Sequence, residues 1–333
     1  MELANIKYND LLSTIALTLS EARNNAIKVI NVELVRANWE IGRNIVEFEQ
    51  LGNEKAVYGS SLLTNLAKDL KIKHGKGFSK SNIYLCRQFY LKFPIFQTLS
   101  GKLSWSHYSE LLTISDDLSR SFYEQQTVQE NWSYREMKRQ IDSALFQRLA
   151  VSKDKEAILK LSKIGQEITK PQDIIKDPYI FEFLEIPKET IIKENSLELK
   201  LIENLQKFLL ELGKGFSFVA KQYKITVDNE HNFIDLVFYH RILKCFVLID
   251  LKVRKVKHQD IAQMNLYLNY FKEEENTEGD NDPIGIIIAT DKHEFLVKYA
   301  TGGLSNKIFV SKYQLYLPDQ KILEEKIKEI LEN

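Results

Sequence analysis

The chain has 333 residues, of which 44% are hydrophobic and 28% are charged, and its formal net charge is zero. This length predicts about two domains, and the composition excludes a disordered, fibrous or polybasic chain. Two cysteines argue against a disulfide-rich scaffold and a structural zinc site. The longest apolar runs have the length of a strand, so we expect a cytoplasmic protein without a membrane span.

The first 150 residues predict a domain made only of helices. Apolar residues recur every three or four positions from Leu11 to Val29, which is the period of one helical face. A continuation or a second helix should end at Gly52 and Asn53. Later helices are expected over 106–115, 117–131 and 133–149, with Ser106 and Ser133 as N-caps.

Residues 62–94 outline two helices joined by a short turn. The candidate N-caps are Ser60 or Ser61 for the first helix and Ser79 or Ser81 for the second. From Lys68 to Lys92 there are seven basic residues and one acid. This pattern is typical of a helix-turn-helix, whose second helix can enter the major groove of DNA. The alternative is a packed helix pair whose lysines are simply solvated.

Three of the six prolines fall within 151–195, and this range is expected to be a connector with short helices and turns. From about residue 196 the period changes to an α-β-β-β-α-β-α-β order. The first helix should run from Leu197 to Leu212 and end at Gly213. This order predicts an α/β or α+β domain with a mixed sheet over 196–333.

The residues with chemical potential lie in two predicted strands of this second domain. Asp250 and Lys252 end one strand, and alternation places both on the same face. Asp235 interrupts an otherwise apolar neighbouring strand, where an unpaired charge would be costly. Two carboxylates in one pocket suit Mg²⁺, and the lysine can assist a water or stabilise phosphate charge. Asp-x-Lys alone also occurs by chance in many proteins.

The arrangement resembles the PD-(D/E)xK nuclease superfamily, and the amino-acid sequence of several segments is most similar to its YhcG family, also called DUF1016. The resemblance covers nearly the whole chain. It is carried by ELVRANWEIGRNIVEFE (33–49), GFSKSNIYLCRQFY (77–90), LSWSHYSELL (103–112), DPYIFEFL (177–184), FLLELGKGFSFVAKQY (208–223), FIDLVFYHRILKCFVLIDLK (233–252), AQMNLYLNYF (262–271) and PIGIIIATDK (283–292). It implies a bacterial, metal-dependent nuclease domain joined to a helical domain, hence an α+β protein of two domains.

The resemblance also implies roles for individual residues. Asp235 becomes the strand acid, Asp250 and Lys252 the (D/E)xK pair, and Gln263 the helix glutamine near the site. Most relatives have Glu where this chain has Asp250. The helix acid is Glu198 or Glu203, which lie roughly 140° apart around a helix and cannot both face one pocket. Glu198 fits the family's Leu-Glu helix start, and we favour it as the third metal ligand.

Nucleic-acid contact is expected from basic residues in three places. The candidates are Lys71, Lys73, Lys76, Lys80 and Arg87 in the helical domain, Lys221 at the end of a strand, and Arg254, Lys255 and Lys257 after the catalytic lysine. Such side chains hold the phosphate backbone and carry no sequence information. The pattern therefore names no recognition sequence.

The sequence favours a hydrolase that cuts DNA with Mg²⁺ or Mn²⁺ and no organic cofactor. One alternative is an inactive nuclease fold that binds DNA as an adaptor, and another is a structural protein without DNA binding. A homodimer would suit two cuts on opposite strands, although no residue requires one. Whether the substrate is duplex, branched or single-stranded DNA, or RNA, is left open.

Overall fold

The computed structural model describes residues 2–50, 61–187, 190–292, 297 and 300–332. The chain divides into two compact units, residues 1–138 and 139–333. The first is helical, and the second contains a mixed sheet with helices. This is the predicted fold class. No described helix is long and apolar enough to cross a membrane.

The first unit begins with a single long helix, α1, over Glu2–Gln50. The expected stop at Gly52 and Asn53 lies outside the described residues. The helices that follow are α2 (Leu62–His74), α3 (Lys80–Lys92), α4 (Trp105–Leu111), α5 (Asp117–Glu130) and α6 (Tyr134–Asp142). The two-helix outline predicted over 62–94 is therefore present. Ser79 caps α3 by accepting a hydrogen bond from the backbone N–H of Asn82 at 3.1 Å.

The C-terminal part of α1 packs closely against α3. A Cβ atom added to Gly42 would lie 2.0 Å from the backbone oxygen of Cys86, so this contact requires glycine. Ile83, Cys86 and Phe89 form the buried face of α3, and Trp39 of α1 donates a hydrogen bond to the carbonyl of Phe93. The small-residue contact brings the two helices together and leaves the opposite face of α3 exposed.

Two details of the helical prediction were wrong. The N-cap of α4 is Ser104 rather than Ser106, and it forms a reciprocal capping pair with His107. The helix expected over 133–149 is broken, because Ala144 has a left-handed backbone (φ 52°). A separate helix, α7, covers Leu145–Ala150. Ser133 does take part in a capping box with Glu136, as expected.

Among the described residues, six strands form one sheet in the order β1-β6-β5-β4-β3-β2. The strands are β1 (Tyr179–Ile180), β2 (Phe216–Val227), β3 (Glu230–His240), β4 (Cys245–Lys255), β5 (Ile284–Asp291) and β6 (Lys307–Gln314). β2, β3 and β4 pair in antiparallel fashion, whereas β4, β5, β6 and β1 run parallel. The antiparallel pairing of Leu236 with Ile249 places the middle of β3 beside the middle of β4.

The range 151–195 is more structured than a connector. It contains helix α8 (Lys155–Ile164) and strand β1, which pairs with β6 at the sheet edge. Tyr179 and Phe181 in this range are fully buried in the core of the second unit. The limits of the predicted domains at 150 and 195 stay predictions.

The helix expected from Leu197 to Leu212 is two helices. They are α9 (Glu194–Glu203) and α10 (Leu205–Leu212), separated by Asn204, and α10 ends at Gly213 as predicted. Helix α11 covers His258–Tyr270, and α12 covers Gln320–Glu332. The helix expected over 292–300 lies mostly outside the described residues.

Apolar side chains cover both faces of the sheet. One core joins β3, β4 and β5 to α9 and α10 through residues such as Leu197, Phe208 and Ile249. The other joins the same strands to α11 through Ile261, Met264 and Leu268. Gly285 of β5 allows α11 to approach, because an added Cβ would lie 2.6 Å from Met264. The two helical layers therefore cover opposite faces of the strands that carry Asp235 and Asp250.

Candidate active site

Strand β4 carries an acidic and a basic residue, Asp250 and Lys252, side by side along its C-terminal half. Lys252 Nζ lies 2.7 Å from Oδ2 of Asp250, as expected for residues two apart on a strand. Both side chains are nearly buried, since Asp250 is 3% exposed and Lys252 is 8% exposed. A buried ion pair of this kind needs further polar partners to offset the loss of hydration.

Asp235 of β3 lies next to this pair. Its Oδ2 accepts a hydrogen bond of 2.7 Å from the backbone N–H of Leu251, the residue between Asp250 and Lys252. The antiparallel register, which pairs Leu236 with Ile249, brings the two strands together at this point. The structure thus gathers the three residues that the sequence placed in one pocket.

Glu198 of α9 is also drawn to Asp235, through Gln222. The amide nitrogen of Gln222 donates to Oε2 of Glu198 at 2.6 Å and to Oδ1 of Asp235 at 3.1 Å. Glu198 is 5% exposed, whereas Glu203 is exposed at the end of the same helix. The geometry therefore favours Glu198 over Glu203 as the helix acid.

Crowded negative charge governs the electrostatics of the site. Burial, followed by the charge of Asp235, raises the pKa of Asp250 to about 7 although Lys252 opposes the shift. Burial also raises the pKa of Glu198; the hydrogen bond from Gln222 opposes this shift, and the charge of Asp235 adds to it. Burial alone would lower the pKa of Lys252, but the adjacent Asp250 outweighs it and the pKa is raised. Such a cluster is stabilised by an added cation.

Gln263 lies on α11 and reaches the site through Tyr267. Its amide donates to the hydroxyl of Tyr267, which donates to the carbonyl of Phe233 at 3.1 Å. Burial raises the pKa of Tyr267 to about 12, and the charges of Asp250 and Asp235 add to this shift. Gln263 and Tyr267 therefore connect α11 to the strand that carries Asp235.

The sequence patterns did not place Gln222 or Glu194 in the candidate site. Gln222 has a left-handed backbone (φ 47°), and it lies between the paired positions that flank Asp235. Glu194 accepts a hydrogen bond of 3.3 Å from the backbone N–H of Val253 and lies 4.0 Å from Lys252. Its spacing of four from Glu198 was the available signal, because such residues share a helix face.

Models of two known domains match this chain. The model of the DUF1016 N-terminal domain matches residues 14–148, and that of the YhcG PDDEXK nuclease domain matches residues 172–330. The chain is 36% identical over 352 residues to a protein of Escherichia coli (strain K12) named "Putative nuclease YhcG". That alignment covers 96% of this chain and 93% of the relative. The chain belongs to the YhcG nuclease family.

Solved structures resemble the YhcG-family chain more distantly. A crystal structure of a repair endonuclease from Pyrococcus abyssi is 20% identical, with a TM-score of 0.28, over 40% of this chain and 50% of that one. A structure of an EndoMS-dsDNA2 complex is 16% identical over the same shares, also with a TM-score of 0.28.

The acidic residues of this YhcG-family site carry carboxylate oxygens, which suit a hard cation. In the part of the chain that the structure describes, no three His, Cys, Asp or Glu side chains converge as a metal site. Gln222 and Lys252 lie against the carboxylates instead. Oδ2 of Asp250 is buried, and the ammonium of Lys252 lies 2.7 Å from it. The carboxylate oxygens of Asp235, Asp250 and Glu198 are nevertheless the kind of ligand that Mg²⁺ prefers.

The candidate nucleic-acid contacts fall into two groups. Seven of the candidates are exposed lysines, namely Lys71, Lys73, Lys76, Lys80, Lys221, Lys255 and Lys257. Three of the nine candidates already have acidic partners: Arg87 pairs with Glu49 at 2.8 Å, Arg254 with Asp260 at 2.8 Å, and Lys255 with Asp291 at 3.0 Å. The other six are the better placed to meet a phosphate backbone.

Proposed function

We propose that this YhcG-family nuclease is a deoxyribonuclease that depends on a divalent cation, Mg²⁺ or Mn²⁺. The observation that carries the proposal is the buried Asp250–Lys252 pair beside Asp235, within a chain matched by a PDDEXK nuclease domain. Asp235, Asp250 and Glu198 would hold the cation. When bound, the cation would supply a lower pKa for an attacking water and neutralise phosphate charge.

Lys252 acts in this proposal as a cation and a hydrogen-bond donor. Its raised pKa keeps the ammonium protonated at neutral pH, so it cannot accept a proton from water. It can instead orient the attacking water and stabilise the charge that develops on the phosphate. Asp250, 2.7 Å away, fixes the position of the ammonium.

Gln222, Gln263 and Tyr267 have positioning roles. Gln222 holds the carboxylates of Asp235 and Glu198 close to one another by donating hydrogen bonds to both from one amide group. Tyr267 links Gln263 to the backbone of β3 two residues before Asp235. Such partners fix the orientation of ligands and usually contribute 10–100-fold to metal affinity or activity.

DNA is the proposed substrate because exposed lysines occur in both units. Lys71, Lys73, Lys76 and Lys80 cluster at the end of α2, in the turn and at the start of α3. Burial raises the pKa of Glu198, and Lys221 lies close enough for its charge to oppose that rise, so Lys221 can meet a phosphate near the cut. The lysines in both places would attract the backbone without reading its sequence.

The test is cleavage of labelled linear, nicked, forked, four-way and single-stranded DNA, and of RNA, with Mg²⁺, Mn²⁺ or EDTA. Asp235→Asn should lower the rate about 1,000-fold or more and leave DNA binding intact. The matched control is Asp228→Asn in the exposed turn after β2, where asparagine also tolerates the left-handed backbone (φ 48°). Cutting by Asp235→Asn at the wild-type rate would overturn the proposal.

A second candidate is a DNA-binding adaptor that retains the nuclease fold. It is favoured by the absence of three converged metal-ligating side chains among the described residues. This function predicts salt-sensitive DNA binding with no cleavage under any metal. Identical DNA affinity for the wild type and Asp235→Asn, without turnover by either, would select it.

A further inference from the structure

The first part of α1 presents an apolar face that the other described helices of the first unit leave uncovered. Every residue from Tyr8 to Ile30 is exposed, and we call this segment the N-terminal arm. Its large apolar side chains are 47–63% exposed. From Val35 onward the same helix contributes buried side chains to the helical unit. The arm therefore extends the helix well beyond what folding of the unit requires.

Seven apolar residues of the arm follow a heptad repeat, and Leu11, Leu17, Ile27 and Ile30 lie off it. Spacings of four and three alternate without interruption along Tyr8, Leu12, Ile15, Leu19, Ala22, Ala26 and Val29. This is the 3.5-residue period of a coiled-coil seam, sustained for three heptads. A helix packed onto a globular core has no need of this exact period, because its apolar stripe follows 3.6 residues per turn.

The charged residues of the arm lie away from this seam. They are Asp10, Glu21, Arg23 and Lys28, and none occupies one of the seven heptad positions. Leu11 and Ile30 flank the seam and widen the apolar surface. The seam can therefore be buried without removing a charge from water.

The surface is large enough for a stable interface. Five large side chains of the seam and the two that flank it are 47–63% exposed, namely Tyr8, Leu12, Ile15, Leu19 and Val29 with Leu11 and Ile30. Along about 33 Å of helix they offer roughly 700 Å² of apolar surface per chain, so a symmetric pair would bury about 1,400 Å². That area falls within the range of specific protein–protein interfaces. The longest other described helix is α5, with 14 residues, which is too short to match an arm of three heptads.

We propose that the N-terminal arm pairs with the same arm of a second copy of this chain to form a coiled-coil dimer. A heptad seam requires a partner helix with the same period and a similar length, and a second copy supplies an identical one. The contact is then self-complementary, as in most homodimers. This inference rests on α1 alone and stands independently of the proposed nuclease activity.

The test is sedimentation of the full chain over a concentration series. Leu19→Glu places a charge in the middle of the seam and should weaken the dimer about 100-fold or more. The matched control is Leu17→Glu, the same substitution two residues away and about 200° around the helix. Leu17 is 60% exposed and lies off the seam, so this variant should remain dimeric.

A cysteine pair gives a second readout. Leu19 lies near the middle of the seam, so its counterpart is close whether the two helices run parallel or antiparallel. Leu19→Cys should form a disulfide between copies on mild oxidation and Leu17→Cys should not; the native Cys86 and Cys245 are buried. A monomeric wild type, or equal behaviour of the Leu17 and Leu19 variants in both assays, would overturn the proposal.

Discussion

Glu198 and Glu203 lie on the same helix and have different surroundings. Glu198 is buried and shares the amide of Gln222 with Asp235. Glu203 is exposed at the last position of α9. The sequence could limit the helix acid to these two residues, and the packing of α9 on the sheet distinguishes them.

Glu198→Gln should lower cleavage about 100-fold, because it removes one carboxylate from the proposed cation site while preserving its shape. Glu203→Gln is the matched variant on the same helix and should cut within about two-fold of the wild type. Single-turnover cleavage of the preferred DNA measures both. The opposite order of rates would assign the role to Glu203.

Glu124 offers a pH-dependent test in the helical unit. Burial raises the pKa of this carboxyl to about 7, and the charge of Arg120 only partly opposes the shift. The folded chain therefore holds a proton on Glu124 that the unfolded chain releases above its ordinary pKa of 4.5. The stabilising contribution is fully present below that value and is lost as the pH rises through about 7.

Glu124→Gln should remove this loss and raise the unfolding free energy at pH 8 by about 1–3 kcal/mol. At pH 5 the same variant should differ little from the wild type. Denaturant unfolding at both pH values, followed by a signal from the helical unit, checks this. Glu21→Gln at an exposed site is the control, and an equal gain from it would contradict the assignment to Glu124.

At the scale of elements, a buried ionic cluster joins α7, α10 and β1. Glu211 of α10 has no exposure and pairs with Arg148 of α7 at 2.7 Å. The same carboxylate accepts a hydrogen bond of 2.9 Å from the backbone N–H of Ile180. Burial alone would raise the pKa of Glu211, but Arg148, Lys176 and Arg139 outweigh it and lower the pKa to about 2.

Glu211→Gln should destabilise the chain by about 3–5 kcal/mol, because it leaves the charge of Arg148 buried without a counter-ion. Glu182→Gln is the comparison, since Glu182 pairs with Arg139 at 2.8 Å in a more accessible place. It should cost about 1 kcal/mol. Thermal and denaturant unfolding measure both, and equal losses would mean that the burial of Glu211 is not decisive.

The structure also shows why some elements were missed. β1 has only two residues, which is too short to display a strand period, and its place in the sheet comes from pairing with β6. The breaks at Ala144 and Asn204 interrupt sequences whose helical periods continue across them. Local periodicity carries no information on these breaks, whereas long strands such as β3 and β4 are indicated by apolar runs of strand length.

At the scale of the molecule, the exposed lysines at α2, the turn and α3 predict a salt-dependent affinity for DNA. Replacing Lys71, Lys73, Lys76 and Lys80 by glutamine should reduce the slope of log affinity against log salt by about 3–4 if each neutralises a phosphate. Fluorescence anisotropy with duplex DNA measures this slope. Lys326→Gln with Lys328→Gln on α12 is the control, and an unchanged slope in the four-lysine variant would remove this segment from the DNA interface.

The family assignment, the fold class and the central residues of the candidate site follow from the sequence by itself. Asp235, Asp250 and Lys252 stand out because charged side chains interrupt or end apolar strands, where burial makes an unpaired charge costly. The alternation of a strand fixes the relation of Asp250 to Lys252 without any tertiary information. The agreement of many separate segments with one family supplies the family assignment and the fold class.

Only the tertiary structure decided which residues distant in the chain lie beside Asp235, Asp250 and Lys252. Gln222 itself has a left-handed backbone in β2, and its side chain contacts Asp235 of β3 and Glu198 of α9. Arg254 is drawn to Asp260 and Arg87 to Glu49, which the basic pattern alone could not reveal. Register, helix rotation and pairing depend on contacts between residues far apart in the chain, and local sequence patterns do not encode such contacts individually.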